Sequence, residues 1–266
     1  MEIVLIGSGN VATHMAMALK GAGHRIVQVY SRTMRNAKLL ACKVGADPID
    51  DVDTVHSAAD LYIFSVRDTA LPEIASQMPL TTGVWAHTAG SIPVSVLSPH
   101  KERGVLYPLQ TFSKEREVNF KDIPLFIEGE SIETTTLLKE LAEGISENVY
   151  FLSGDKRRFL HLAAVFACNF TNHMYTLASE IMGEEEISFR MLNPLIAETA
   201  AKAMEMDPHA AQTGPAVRFD EKVIQKHLEL LNDPMKKEIY ALLSKSIHGT
   251  SRDECFSRNY APDESE

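Results

Sequence analysis

The residue types best suited to chemistry lie on a stretch near the middle of the chain that otherwise has helical spacing. Positions 168–173 read Cys-Asn-Phe-Thr-Asn-His, with no lysine or glutamate among them. When residues 160–180 are projected at the α-helical period, one arc is apolar, and the opposite arc is polar and carries charge only at its far end. Histidine exchanges protons near neutral pH, and asparagine orients a ligand through hydrogen bonds. The candidate catalytic residues on this arc are His161, Asn169, Asn172 and His173.

A polar arc without charge is unusual on a helix surface. Solvent-facing helices are normally rich in lysine and glutamate, whereas asparagine is a poor helix former. A buried amide without a hydrogen-bond partner costs about 1–3 kcal/mol. The arc is therefore predicted to face a cofactor cleft, a bound substrate or a neighbouring subunit. The alternative interpretation is a helix–helix contact in which the polar groups satisfy one another.

A second chemical signature opens the chain. The apolar run that ends at Ile6 is followed at once by Gly-Ser-Gly-Asn-Val-Ala and then by helical spacing. In such a G-x-G-x-x-A turn the first glycine permits a tight turn, the second admits a pyrophosphate, and the small last residue lets helix and strand pack closely. The helix N-terminus offers free N–H groups to phosphate. This context favours a dinucleotide site over a purely structural turn, with predicted cofactor contacts at Gly7, Ser8, Gly9, Asn10 and Val11.

The second predicted strand ends in Tyr-Ser-Arg-Thr, and this ending bears on the choice of cofactor. An NAD site would place an acid here to hold the ribose 2′-hydroxyl, but no acid occurs between Gly23 and Asp47. A 2′-phosphate suits a hydroxyl beside an arginine. NADP is therefore the predicted cofactor, although neighbouring cations such as Lys38 and Lys43 are more simply solvated surface charges. The predicted contacts are Ser31, Arg32 and Thr33.

Polar and small residues also follow three other predicted strands, in segments 65–68, 87–91 and 107–111. Ligands of an open parallel sheet bind beyond the carboxyl ends of its strands, so these segments are expected to surround the nicotinamide. His87 is a further catalytic candidate, and a structural histidine capping a turn is the alternative. The predicted cofactor contacts are Ser65, Val66, His87 and Thr88.

The elements that must position these residues change character along the chain. Short β-branched runs, typical of buried parallel strands, are predicted at 3–6, 26–30, 61–66, 84–87, 105–106, 125–127 and 149–152. Helical segments such as 11–19 and 35–44 alternate with them, which indicates a doubly wound parallel α/β sheet. After residue 153 only helices are predicted: one running to about residue 182, then 188–206, 220–231 and 234–247. The predicted domains are 1–153, a Rossmann domain, and 154–266, an all-helical substrate and dimerisation domain, closing with a frayed acidic Asp-Glu-Ser-Glu tail.

Composition excludes several other classes of protein. A net charge of −10 argues against a nucleic-acid binder. The three widely spaced cysteines, Cys42, Cys168 and Cys255, predict neither a disulfide framework nor a metal site, and favour a reducing compartment. Neither a signal peptide nor a membrane span is expected. The predicted location is the cytoplasm.

Five segments together carry a resemblance to a known family. They read GSGNVA, YSRT, HTAGS, LYPLQTFS and TGPAVR. The chain resembles the two-domain NADP oxidoreductases that join a Rossmann-like domain to a helical C-terminal domain of unknown function, relatives of pyrroline-5-carboxylate reductase, ketopantoate reductase and deazaflavin-dependent NADP reductases. The resemblance implies a C-terminal domain like that of 6-phosphogluconate dehydrogenase, NADP binding by the first half and a homodimer through the C-terminal helices. It also implies histidine at position 107 and glycine at 219, where this chain has Tyr107 and Phe219.

The resemblance also frames the competing hypotheses of function. Related dehydrogenases use a lysine as general acid or base, and no lysine lies on the polar arc, so a histidine or bound water would have to carry the proton. The leading hypothesis is hydride transfer between NADP(H) and a small carbonyl, imine or hydroxy substrate. The alternative is an NADP-binding sensor or scaffold without catalysis, and a third is hydride exchange with a deazaflavin. The sequence does not identify the substrate.

Overall fold

The computed structural model describes residues 1–250. Cys255 and the predicted acidic tail lie outside the described residues. The chain divides into two compact units, Met1–Phe170 and Thr171–Glu266, whereas the predicted domain boundary falls after residue 153. Every strand among the described residues ends before that predicted boundary, and only helices follow it.

The first unit is built on one eight-stranded sheet with the order β3-β2-β1-β4-β5-β6-β7-β8. All seven predicted strands are present, and a short strand, β3, was not predicted because its Asp-Pro pair is typical of turns. Strands β1 to β6 are parallel, as predicted. Strand β7 runs antiparallel to β6, and β8 runs parallel to β7. The connection from β6 to β7 contains only a short 3₁₀ turn, Phe120–Asp122. It therefore has no crossover helix that would make β7 parallel to β6. The strands are β1 Glu2–Ile6, β2 Arg25–Tyr30, β3 Asp47–Ile49, β4 Leu61–Phe64, β5 Val84–His87, β6 Arg103–Pro108, β7 Leu125–Gly129 and β8 Val149–Phe151.

Helices cover both faces of this sheet, which confirms the doubly wound fold. Because side chains alternate along a strand, Ile3 and Leu5 of β1 join one buried cluster with α1, while Val4 and Ile6 join a second with α3. The helices of the first unit are α1 Asn10–Gly21, α2 Met34–Val44, α3 Leu71–Gln77, α4 Ile132–Glu143 and α5 Gly154–Ala164.

The long helix that carries the polar arc is interrupted. It spans the predicted range, but Val165–Phe170 is π-helical and joins α5 to α6, Thr171–Glu184. A π-helical segment inserts extra residues into the helical turn, so the projection at a uniform α-helical period does not hold across it. Asn169 belongs to the π-helical segment at the end of the first unit, whereas Asn172 and His173 belong to the second.

The second unit contains only helices among its described residues. After α6 come a 3₁₀ turn, Phe189–Leu192, and then α7 Asn193–Glu205, α8 Pro208–Ala211, α9 Pro215–Arg218, α10 Glu221–Leu230 and α11 Pro234–Thr250. Lys236 of α11 forms ion pairs with Glu180 and Glu184 of α6. Between residues 171 and 250 the only buried residues are Ala216, Lys236 and Ser244.

Among residues 1–250, no helix is both long and apolar enough to cross a membrane.

Candidate active site

The turn between β1 and α1 can contain only glycine at its first position. Gly7 has a φ of 127°, and a Cβ atom there would lie 2.2 Å from the carbonyl oxygen of Ser65. Its N–H donates to the carbonyl of Tyr30 at 2.9 Å. The turn therefore lies between the ends of β2 and β4. Val66 also lies beside Gly7, so three predicted contacts, Gly7, Ser65 and Val66, are close together.

The N-terminus of α1 is open to an anion. Gly9 is its N-cap residue, no side chain caps the helix, and no acid occurs in its first turn. A Cβ atom on Gly9 would meet nothing within 4 Å, so a phosphate can approach the backbone here. The side chains of Asn10 and Val11 are used elsewhere: the Asn10 amide donates to the Phe112 carbonyl at 2.8 Å, and Val11 packs against the core.

Hydroxyl groups connect the neighbouring strand ends. The buried Ser8 hydroxyl donates to the Ser31 hydroxyl at 2.9 Å, which joins the glycine turn to the end of β2. The Thr88 hydroxyl donates to that of Ser65 at 3.2 Å, which joins the ends of β5 and β4. Arg32 and Thr33 follow Ser31 at the surface and are exposed. The predicted cofactor residues therefore converge along one edge of the sheet.

His87 lies at this edge but is sealed from solvent. It is completely buried, and its Nδ1 atom accepts a hydrogen bond from the Ala89 N–H at 3.2 Å. Burial lowers the pKa of His87 to about 3, and the nearby charge of Arg157 acts in the same direction. The imidazole is neutral at physiological pH, so the structure favours the structural alternative for His87 over proton transfer.

A different pair of polar groups meets at the carboxyl end of β6. The Tyr107 hydroxyl lies 2.9 Å from Nδ1 of His161, and the two rings meet edge to face. Burial raises the pKa of Tyr107 to about 12. Gly90, in the loop after β5, lies against both rings, because a Cβ there would be 2.7 Å from Nδ1 of His161 and 2.8 Å from the Tyr107 ring. The sequence identified His161 but not its partner.

A buried ion pair underlies this contact, and the sequence did not predict it. Arg157 is fully buried, forms an ion pair with Glu128 of β7, and donates to the Ile92 carbonyl at 2.7 Å. Arg157 precedes His161 by four residues on α5, so both side chains lie on one face of that helix. This spacing is the only sequence signal that could have linked them.

The other candidates on the polar arc are exposed in the single chain. Asn169, Asn172 and His173 all have exposed side chains. Their predicted role at a substrate cleft stays a prediction.

Comparisons with known proteins match this architecture. A Rossmann-like domain family matches residues 1–112, and a domain family of unknown function, DUF2520, matches residues 123–247. The chain is 50% identical to a putative NADP oxidoreductase from Bacteroides fragilis, with a TM-score of 0.89, 93% of this chain covered and 98% of that one. It belongs to this family of two-domain NADP oxidoreductases. This match confirms the family resemblance and the fold class. At the level of the family, it also confirms the oxidoreductase class and the NADP cofactor.

More distant structures share the fold. A reductive aminase from Aspergillus terreus, in complex with NADPH and ethyl-5-oxohexanoate, is 15% identical with a TM-score of 0.71, covering 97% of this chain and 94% of that one. A 1-pyrroline-5-carboxylate reductase from Streptococcus pyogenes is 13% identical with a TM-score of 0.62, covering 94% and 98%. A comparison with curated proteins gives no match.

Proposed function

We propose that the protein transfers hydride from NADPH to a small carbonyl or imine compound, or in reverse from the corresponding alcohol or amine. The observation that carries this proposal is the glycine turn, where a Cβ on Gly7 would lie 2.2 Å from the Ser65 oxygen and the α1 N-terminus is uncapped. Backbone N–H groups and the helix dipole would hold the pyrophosphate there. When bound, NADPH would supply the hydride, and the ends of β4, β5 and β6 would hold the cofactor.

The preference for NADP over NAD rests on Ser31 and Arg32. The Ser31 hydroxyl is fixed by Ser8 at 2.9 Å, and Arg32 is exposed beside it. A hydroxyl and a guanidinium suit a phosphate dianion, because both donate hydrogen bonds and the arginine adds charge. The ribose 2′-phosphate is the group that this arrangement would bind.

A homodimer is part of the same proposal. Helices α6, α7 and α10 contain no buried residue in the single chain. A stripe of exposed apolar side chains, spaced three or four residues apart, also runs along α5 and the π-helical segment: Phe159, Leu162, Phe166 and Phe170. Exposed apolar surface of this extent is typical of an interface. We infer that a second copy of the chain covers it.

We also infer a cytoplasmic location, and the cysteines support it. Cys42 and Cys168 are free thiols exposed at the surface, which suits a reducing compartment.

The cofactor assignment is tested by the double substitution Ser31→Ala and Arg32→Ala. Losing charge-assisted hydrogen bonds of about 1.5–3 kcal/mol should weaken NADPH binding by roughly 10- to 100-fold while changing NADH binding little. Calorimetric titration with each cofactor measures this, and Lys38→Ala serves as the matched control because Lys38 is a nearby solvated cation. An equal loss for both cofactors would contradict the 2′-phosphate assignment.

Catalysis is tested by following NADPH absorbance with a panel of small oxo acids, aldehydes, ketones and imines. Turnover of any class supports the oxidoreductase. Tight NADPH binding without turnover across the whole panel would favour the alternative of a non-catalytic NADP-binding sensor or scaffold.

A further inference from the structure

The contact between Tyr107 and His161 lies where proton transfer would be needed. Tyr107 is the penultimate residue of β6, and β6 ends at the same edge of the sheet as β4 and β5, which are followed by Ser65 and Thr88. Substrate groups in an open parallel sheet bind beyond this edge. The absence of a Cβ on Gly90 lets the two rings approach the loop after β5. Three segments of the chain therefore meet at one polar point within the first unit.

We propose that Tyr107 donates the proton that accompanies hydride transfer, that His161 returns a proton to Tyr107, and that Arg157 positions the pair. The proposal rests on the proposed function and adds to it the source of the proton that the C=O or C=N bond gains together with the hydride. It assigns the proton transfer to a tyrosine assisted by His161 of the polar arc, which contains no lysine.

The step balances with these groups alone. Bound NADPH would supply hydride to the substrate carbon, the π electron pair of the double bond would move to oxygen or nitrogen, and that atom would take the Tyr107 hydroxyl proton. The resulting phenolate takes a proton from Nδ1 of protonated His161, 2.9 Å away. The His161 ring is only partly buried, so it can recover its proton from water. The net change is one hydride from NADPH and one proton from solvent.

The electrostatic environment explains why the tyrosine needs assistance. Burial raises the pKa of Tyr107 to about 12, the charge of Arg157 opposes this rise, and Asp68 adds to it. A buried phenol alone is a weak acid because its anion is poorly solvated. A hydrogen bond from His161 and a fixed positive charge from Arg157 both stabilise the anion at the moment of proton transfer.

Arg157 acts through the geometry of α5. Its guanidinium is held from two sides, by Glu128 of β7 and by the Ile92 carbonyl after β5. One helical turn further on, His161 extends from the same face of α5 to Tyr107. The ion pair therefore fixes the rotation of α5 that brings Nδ1 to the hydroxyl, which makes Arg157 a positioning residue.

The chain contains an internal control for this pair. In the second unit, the Tyr240 hydroxyl lies 2.8 Å from Nδ1 of His227, and the rings meet edge to face with centroids 5.7 Å apart. The corresponding centroid distance between Tyr107 and His161 is 5.9 Å. The sequence predicts no site residue at Tyr240 or His227. Substituting Tyr240 therefore shows what the loss of a tyrosine–histidine contact does outside the proposed site.

The decisive experiment compares two substrates with the same variants. Cyclohexanone needs a hydride and a proton, whereas a permanently charged N,N-dialkyl iminium salt needs only the hydride. In single-turnover measurements of NADPH absorbance, Tyr107→Phe should slow cyclohexanone reduction by about 10²-fold or more and leave iminium reduction unchanged. His161→Asn should show a smaller loss with the same selectivity, and Tyr240→Phe none. Equal losses with both substrates, or no loss with the ketone, would overturn the proposal.

A binding measurement separates this proposal from the proposed function. If the wild-type protein binds NADPH but turns over neither these two compounds nor any other member of the panel, hydride transfer fails as the function, and binding of cyclohexanecarboxamide to the protein–NADP⁺ complex decides the role of the pair. Losing one hydrogen bond of about 1 kcal/mol should weaken carboxamide binding severalfold in Tyr107→Phe. Unchanged binding would show that Tyr107 does not face the ligand and would reject the pair.

The positioning role of Arg157 has its own readout. Arg157→Lys keeps the charge but loses the two-sided contact, so kcat for cyclohexanone should fall about tenfold or more while KM and iminium reduction stay unchanged. A general structural defect would instead slow the reduction of both substrates. Wild-type kinetics in Arg157→Lys would exclude a positioning role.

Discussion

Burial decides what each histidine at the sheet edge can do. His87 and His161 lie near the same strand ends, but His87 has no exposed surface, whereas His161 is partly open. A buried imidazole avoids the charge that it cannot solvate, so burial keeps His87 neutral and lowers its pKa to about 3. His161 instead meets a phenol that can use its proton. Residue type alone made both histidines catalytic candidates, and their surroundings distinguish them.

The lowered pKa of His87 predicts how stability depends on pH. Below the ordinary value of 6.5 the unfolded chain binds a proton that the folded chain rejects, so stability is full above pH 6.5 and is lost as pH falls toward 3. Between pH 7 and pH 5 this group should remove about 2 kcal/mol from the free energy of unfolding. Urea denaturation at both pH values should show a smaller loss in His87→Gln. Val105→Ala, a buried change without a titrating group, should keep the wild-type pH dependence, and a Gln variant that also keeps it would contradict the assignment.

At the scale of elements, a buried ion pair between Arg157 and Glu128 holds α5 against the sheet. The Arg157 side chain is 1% exposed and that of Glu128 is 23% exposed, whereas the neighbouring pair of Arg158 and Asp155 is exposed at 58% and 87%. Removing one partner of a buried pair leaves an uncompensated charge, while an exposed pair contributes little because water solvates each charge separately.

These two adjacent arginines give a matched test. Arg157→Met should lower the free energy of unfolding by about 3–5 kcal/mol, and Arg158→Met by less than about 1 kcal/mol. In the double variant Arg157→Met with Glu128→Gln, the loss should be smaller than the sum of the single losses because no buried charge remains. Chemical denaturation measures all three, and similar losses at Arg157 and Arg158 would show that the buried pair does not anchor α5.

Local pattern explains which elements the sequence could predict. The β1–α1 turn follows from Gly7 and Gly9, since strand, turn and helix are neighbours along the chain. The meeting of Tyr107 and His161 joins residues 54 positions apart, and no periodicity encodes it. Position 107 illustrates the difficulty, because the family resemblance implied a histidine there, and the imidazole beside Tyr107 comes instead from α5. The π-helical segment was equally hidden, since no residue type or spacing in it distinguishes a π-helical turn from an α-helical one.

At the scale of the whole molecule, the distribution of apolar residues is uneven. The sheet of the first unit has two buried clusters, one on each face, but the helices of the second unit bury almost nothing in the single chain. Burying a large apolar side chain contributes about 1.5–3 kcal/mol, so the low burial in these helices supports the proposed homodimer.

The homodimer can be tested through two strongly exposed apolar side chains that lie close together in the second unit. Met191 and Leu195 are 72% and 63% exposed, four residues apart in the second unit. Light scattering after size exclusion should give the wild-type protein twice the chain mass of 29.5 kDa. Met191→Glu with Leu195→Glu should shift it to a monomer with a lower Tm, because charge at an apolar interface is costly to desolvate. Leu80→Glu, at a side chain 94% exposed in the first unit, should remain a dimer. A monomeric wild-type protein at micromolar concentration would refute the dimer, and a dimeric double variant would exclude this face from the interface.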